Sequence, residues 1–106
     1  MATIIDKKQI EKIVLDYGKM IKEEMDVKHI YLYGSYAKGN NSSDSDIDVA
    51  VVGDDFSGDI IEDTMLLMRI RRKIDYRIEP RPFRTADFKP TDPLAKEIME
   101  TGIKLV

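Results

Sequence analysis

The run Val49-Ala50-Val51-Val52 restricts the fold of this chain more than any other feature. Four successive apolar residues, directly after Ile47-Asp48, suit a strand that is covered on both faces. A strand with one face in water would instead alternate apolar and polar side chains. The sheet that contains this strand therefore needs a packed layer on each side.

Helices with the required apolar faces are predicted elsewhere in the chain. Three- and four-residue spacing of apolar side chains predicts helices at 7–24 and 59–72, and Asp92-Pro93 begins another that runs from 93 to 101. A short helix is expected to start at Ser35. The predicted strands are 27–33, 47–52, 74–79 and 103–106. The third ends at 79 because Pro80 interrupts its alternation of apolar and polar side chains. This order predicts an α/β (α+β) fold with a small mixed sheet flanked by helices.

Length and charge limit the classes of function. A chain of 106 residues with 42% hydrophobic content fits a single domain, residues 1–106. Its 17 basic and 20 acidic residues give a net charge of −3, which disfavours stable nucleic-acid binding. Without cysteine it has no disulfide and no thiolate metal site. We find no signal peptide and no apolar run long enough to cross a membrane, so we expect a soluble, cytoplasmic protein.

The pair Gly34-Ser35 follows the first predicted strand and is a candidate phosphate-binding turn. Glycine allows a sharp turn and the close approach of another group to its backbone. A helix beginning at Ser35 would present unpaired N–H groups and a positive dipole end, to which the hydroxyl adds a further donor. On its own this dipeptide is more often an ordinary turn.

Two carboxylates, Asp46 and Asp48, open the second predicted strand. Because they are two residues apart they leave the same face, roughly 6.6 Å apart at the backbone. Like charges this close repel unless a cation lies between them, and oxygen ligands of this kind suit Mg²⁺ or Mn²⁺. The alternative is a solvated turn followed by a strand with one wet face.

Metal-assisted phosphoryl transfer usually uses a third carboxylate. Asp75, expected near the start of the third strand, is the best candidate if that strand lies beside the second one. Glu79 shares its face but should lie about 13 Å farther along, near the other end. The alternative for Asp75 is a structural ion pair with Arg77 or Lys73.

Together, Gly34-Ser35, ten intervening residues, Asp46-Ile47-Asp48 and Asp75 resemble the nucleotidyltransferase superfamily related to DNA polymerase β, and specifically its minimal nucleotidyltransferase branch. The resemblance implies the nucleotidyltransferase fold. It implies that Gly34 and Ser35 bind a nucleoside triphosphate, usually ATP, and that all three aspartates bind Mg²⁺ and act in catalysis. Lys38 falls where this family commonly carries a basic residue, which would bind phosphate; the alternative is a solvated lysine.

The resemblance also implies a reaction and a partner. The expected reaction moves a nucleotidyl group, AMP from ATP, to a hydroxyl and releases pyrophosphate. Many members of this branch resemble antitoxins encoded beside a helical toxin of the HEPN type, and some are thought to transfer AMP to that partner. A chain this short would need a partner protein or a second copy to complete the acceptor site. The alternative function is an antitoxin-like binding module with little or no catalysis. A third hypothesis, which the short chain favours less, is transfer to a small molecule.

Overall fold

The computed structural model describes residues 7–39 and 46–106, which form a four-stranded mixed sheet with helices on both faces. The strands are β1 His29–Tyr33, β2 Ile47–Gly53, β3 Ile78–Arg84 and β4 Ile103–Lys104. The helices are α1 Lys7–Glu24, α2 Ser35–Lys38, α3 Ile60–Arg71 and α4 Pro93–Thr101. The strand order is β3-β2-β1-β4, with β2 and β3 parallel and the other pairs antiparallel. Across the described residues, no helix is long and apolar enough to span a membrane.

Strand β2 is covered on both faces, which confirms the interpretation of its apolar run. Ile47, Val49 and Val51 point into the larger core, which contains the buried faces of α1 and α3. Ala50 and Val52 point the other way, into a smaller core with Ala95 and Ile98 of α4. The two layers that the sequence predicted are therefore α1 with α3 on one face and α4 on the other.

Side-chain hydrogen bonds fix the helices at specific points. Asp59 and Asp92 cap the N-termini of α3 and α4, each accepting from two backbone N–H groups of the first turn. Inside the larger core, the hydroxyl of Tyr17 on α1 donates to the carbonyl oxygen of Leu67 on α3 at 2.6 Å. This bond, buried between two apolar helix faces, holds α1 and α3 in one alignment.

The third strand differs from the sequence prediction. Pro80 was expected to end it, yet β3 begins at Ile78 and continues through Pro80 and Pro82 to Arg84. Proline lacks the N–H of a ladder hydrogen bond and is tolerated in a strand at the edge of a sheet, which is where β3 lies. Residues 74–77 are a turn before the strand. The other predicted elements are confirmed within a few residues, apart from β4, which is only two residues long.

Candidate functional site

The site is centred on Asp48, the second residue of β2. In the ladder Asp48 pairs with Tyr33 of β1 and, on its other side, with Glu79 of β3. Residues directly opposite each other in neighbouring strands place their side chains on the same face. That face is the one that α4 covers farther along β2. Asp46, two residues earlier and exposed, lies just before the strand, close enough for its charge to act on the Asp48 carboxyl.

Gly34 brings the backbone of the first turn against this carboxylate. Its φ of 75° and ψ of −147° lie in a region that residues with a side chain rarely adopt. A Cβ built on Gly34 would overlap Oδ2 of Asp48. Helix α2 begins at the next residue, Ser35, and its first turn closes with Lys38 N–H donating to Gly34 O at 3.1 Å. The glycine is therefore required both by its dihedral angles and by the approach of Asp48.

The Asp48 carboxylate lies among like charges. Burial raises the pKa of the Asp48 carboxyl, and the negative charges of Asp46 and Glu79 raise it further. Burial, and then the charge of Asp48, raises the pKa of the Tyr33 hydroxyl to about 12. Arg71 makes a loose ion pair with Glu79, with 3.8 Å between Nη1 of Arg71 and Oε1 of Glu79. A cation at this position would relieve the repulsion.

Carboxylate oxygens are the ligands that Mg²⁺ and Mn²⁺ prefer, so Asp46, Asp48 and Glu79 fit a divalent cation by chemistry and charge. Within residues 7–39 and 46–106, no three acidic, histidine or cysteine side chains already surround a common cation position. The fit therefore rests on the type of donor atom, on the shared face of Asp48 and Glu79, and on the repulsion between the three carboxylates.

Asp75 lies elsewhere. It sits in the turn before β3, where its carboxylate accepts from Arg77 Nε at 3.0 Å, Arg77 Nη2 at 2.7 Å and the Arg77 backbone N–H at 2.8 Å. Arg77 also lowers the pKa of this carboxyl. The ion-pair alternative from the sequence is confirmed, while the expected position of Asp75 at the start of a strand is wrong. Its role as a metal ligand stays a prediction.

Glu79 is the residue whose position the sequence reasoning misjudged. It was expected near the far end of the third strand, but the strand starts later and places Glu79 directly beside Asp48. Half of its side chain is exposed. A predicted strand that began at Ile78 would have identified Glu79 as a candidate. Glu79 would then be the second residue of its strand, beside Asp48, the second residue of β2.

Two basic residues of this region, Lys38 and Arg81, make contacts with other groups. Lys38, predicted to bind phosphate, directs its ammonium to Glu97 Oε1 of α4 at 3.2 Å, and both groups are half exposed. Arg81, two residues after Glu79 on the same face of β3, lies over the ring of Phe83 with 5.5 Å between its Cζ and the ring centroid. The prediction that Lys38 binds nucleotide is not tested by this contact, and Arg81 is a cation that sequence reasoning did not single out.

Comparison with known families gives one match that covers most of the chain. The model of the family described as polymerase beta, nucleotidyltransferase matches residues 16–106. A protein of Methanocaldococcus jannaschii, provisionally named protein adenylyltransferase MJ1379, is 40% identical over 47 residues, which are 44% of this chain and 47% of that relative. The chain spans about half the length of the curated relatives that it matches.

Solved structures share the fold at lower identity. A protein from Sulfolobus solfataricus, provisionally described as a nucleotidyltransferase, superposes with a TM-score of 0.65 at 16% identity, covering 92% of this chain and 80% of that one. A chain from a crystal structure of a toxin-antitoxin with AMP-PNP superposes with a TM-score of 0.62 at 21% identity, covering 91% and 72%. At these identities the likeness concerns the fold.

Proposed function

Because the chain belongs to the polymerase beta nucleotidyltransferase family, we propose that it transfers AMP from ATP to a hydroxyl group of a partner protein and releases pyrophosphate. The observation that carries the proposal is the register of the sheet. It sets Asp48 beside Glu79 on one face and brings the Gly34 turn against the same carboxylate. A turn able to approach phosphate and a group of acids that repel one another thus occupy one end of the sheet.

We assign the metal-binding role to Asp46, Asp48 and Glu79, with Mg²⁺ as the expected ion and Mn²⁺ as the alternative. A divalent ion bound there would neutralise triphosphate charge and lower the pKa of the attacking hydroxyl. Asp46 and Asp48 lie at the start of β2, next to the turn that would hold the donor nucleotide. Glu79 lies at the open edge of the sheet, where a half-exposed carboxylate is placed to accept the proton of an incoming hydroxyl.

The donor triphosphate is assigned to the turn that leads into α2. Gly34 has no side chain to keep phosphate oxygens from its backbone, and Ser35 offers a hydroxyl at the start of the helix. Lys38 can contribute to this site only by weakening or sharing its contact with Glu97. Nucleotide binding by Lys38 therefore competes with its ion pair to Glu97.

The acceptor is assigned to a helical partner protein of the HEPN toxin type. Two findings support a protein partner in general: relatives provisionally named protein adenylyltransferases, and a chain of similar fold solved in a toxin-antitoxin with AMP-PNP. The HEPN type comes from the family resemblance of the sequence alone. The second observation also favours another function. An antitoxin-like module would neutralise the same partner by binding alone, with little or no transfer.

The decisive experiment incubates the purified protein with α-labelled ATP, Mg²⁺ and host lysate and follows label in protein bands. Asp46→Asn combined with Asp48→Asn, and Glu79→Gln alone, should each abolish labelling while far-ultraviolet circular dichroism is unchanged. The matched control is Asp54→Asn, which alters an exposed acid just after the opposite end of β2 and should label normally.

Three outcomes separate the alternatives. Undiminished labelling by the double aspartate variant would refute nucleotidyl transfer at this site. Co-purification of a helical partner with no labelling would favour the binding module. If Asp75→Asn abolishes labelling while Glu79→Gln does not, the third carboxylate is Asp75, as the sequence predicted.

A further inference from the structure

Helix α3 carries apolar side chains on two opposite faces. Leu67 and Ile70 are buried against the larger core, whereas Ile61 and Met65 on the other side are 70% and 66% exposed. A helix on the surface of a globular protein normally has one apolar face and one polar face, and a helix that is apolar all round is normally covered all round. The outer face of α3 therefore resembles a contact surface.

A groove runs along this outer face. Its volume is about 710 Å³, and its lining includes Glu62, Met65, Leu66, Met68, Arg69 and Arg72. Successive exposed positions of the helix, Ile61, Met65 and Arg69, are one turn apart and lie along one stripe. The stripe continues to Arg72, which is also exposed. The lining of the groove is acidic at the start of α3, with Glu62, apolar in its middle, with Met65 and Leu66, and basic at its end, with Arg69 and Arg72.

The charges along α3 make this face complementary to itself. Glu62 lies in the first turn, and Arg69 lies in the last turn, with Met65 between them. At a rise of about 1.5 Å per residue, Glu62 precedes Met65 by roughly 4.5 Å and Arg69 follows it by roughly 6 Å. A two-fold axis near Met65, with the helices antiparallel, would set Glu62 of each copy opposite Arg69 of the other. The two Met65 side chains would then meet at the centre.

We propose that the outer face of α3 is the contact between two copies of this chain in an antiparallel, two-fold dimer. The larger core packs beneath α3, whereas the candidate site opens on the face of the sheet that carries α4. The two sites of such a dimer face away from each other. A second copy bound in this way leaves the acceptor side of each site open. This inference does not depend on the proposed reaction.

The test measures the mass of the purified chain by sedimentation equilibrium over about a hundredfold range of concentration. The weight-average mass should rise from the monomer value of 12.2 kDa toward twice that value. Met65→Glu should keep the chain monomeric. The control, Tyr76→Glu, changes a side chain that is 69% exposed but lies outside α3, and its self-association should match that of the unmodified chain.

Charge reversal tests the orientation of the two helices. Glu62→Arg and Arg69→Glu should each weaken the dimer about tenfold or more, because each places like charges opposite each other twice. The variant with both reversals should dimerise almost as tightly as the unmodified chain. Both reversals oppose the dipole of α3, so recovery in the double variant is not explained by helix stability. A chain that stays monomeric at every concentration, a dimer that tolerates Met65→Glu, or a double variant without recovery would overturn the proposal.

Discussion

Replacing Gly34 with alanine tests the contact on which the site is built. The backbone of Gly34 has a φ of 75° and a ψ of −147°, a region open almost only to glycine, and holding alanine there costs about 1–3 kcal/mol. The new methyl group also overlaps Oδ2 of Asp48, and moving that side chain off its rotamer adds about 0.5–1.5 kcal/mol. We expect Gly34→Ala to lower the free energy of unfolding by about 2–4 kcal/mol, out of the 5–15 kcal/mol typical of a domain.

The matched control is Gly39→Ala at the other end of α2. Gly39 also has a positive φ, 79°, but among the described residues beyond its own chain neighbours no atom lies within 4 Å of an added Cβ. Its substitution should cost only the left-handed backbone penalty, about 1–2 kcal/mol. Urea unfolding followed by circular dichroism measures both variants. The same assay measures Gly34→Ala in an Asp48→Ala background, where about 1 kcal/mol of the loss should be recovered because the space is vacated.

Two results together would refute this reasoning. They are equal losses for the two glycine variants, and additive losses for Gly34→Ala and Asp48→Ala. The Asp48 carboxylate would then not lie against the Gly34 backbone, and the proposed joint site for phosphate and metal would lose its geometric basis.

Three further predictions concern charge and packing. Without divalent ions, Asp48→Asn should stabilise the fold by up to about 1 kcal/mol at pH 7. The pKa of Asp48 is raised in the folded state, so this gain should be absent below pH 3.8 and should grow as the pH rises through the raised pKa. Asp75→Asn should cost about 1–2 kcal/mol at neutral pH, because it removes the negative charge and one of the two oxygens that accept hydrogen bonds from Arg77. Because its folded pKa is lowered, that loss should shrink only as the pH falls below 3.8, which acid titration of both proteins measures. Tyr17→Phe should lower stability by about 0.5–1.5 kcal/mol in urea unfolding, because the buried hydrogen bond to Leu67 is lost.

The sequence predicted those parts of the molecule that depend on local pattern. The apolar run of β2 implied two covering layers. Helical periodicity located α1 and α3 to within about two residues, and Asp92-Pro93 located the start of α4. Gly34, Asp46 and Asp48 were found as candidates because strand geometry and short spacing alone bring them to one end of the sheet. These features depend on the backbone dihedral preferences of individual residues and on the spacing of apolar and acidic side chains. Both can be read from a single sequence.

The register between β2 and β3 could not be predicted in the same way. It depends on where the chain enters the sheet after α3, which is a property of tertiary packing. Reading Pro80 as the end of a strand moved the predicted strand four residues toward the N-terminus, so Asp75 was assigned the position beside Asp48 that Glu79 occupies. The contact between Lys38 and Glu97 joins residues 59 apart, and no local pattern indicates it.

The prolines of β3 also determine how this protein can meet other chains. Pro80 and Pro82 alternate along an edge strand, so the outward side of that edge lacks two of the N–H donors that an added strand would need. An extended peptide, or the same edge of another copy, would find carbonyl acceptors there without matching donors. The edge next to Glu79 can therefore stay open to water and to an incoming hydroxyl without becoming a template for strand addition, and a partner that binds at this edge must recognise its side chains.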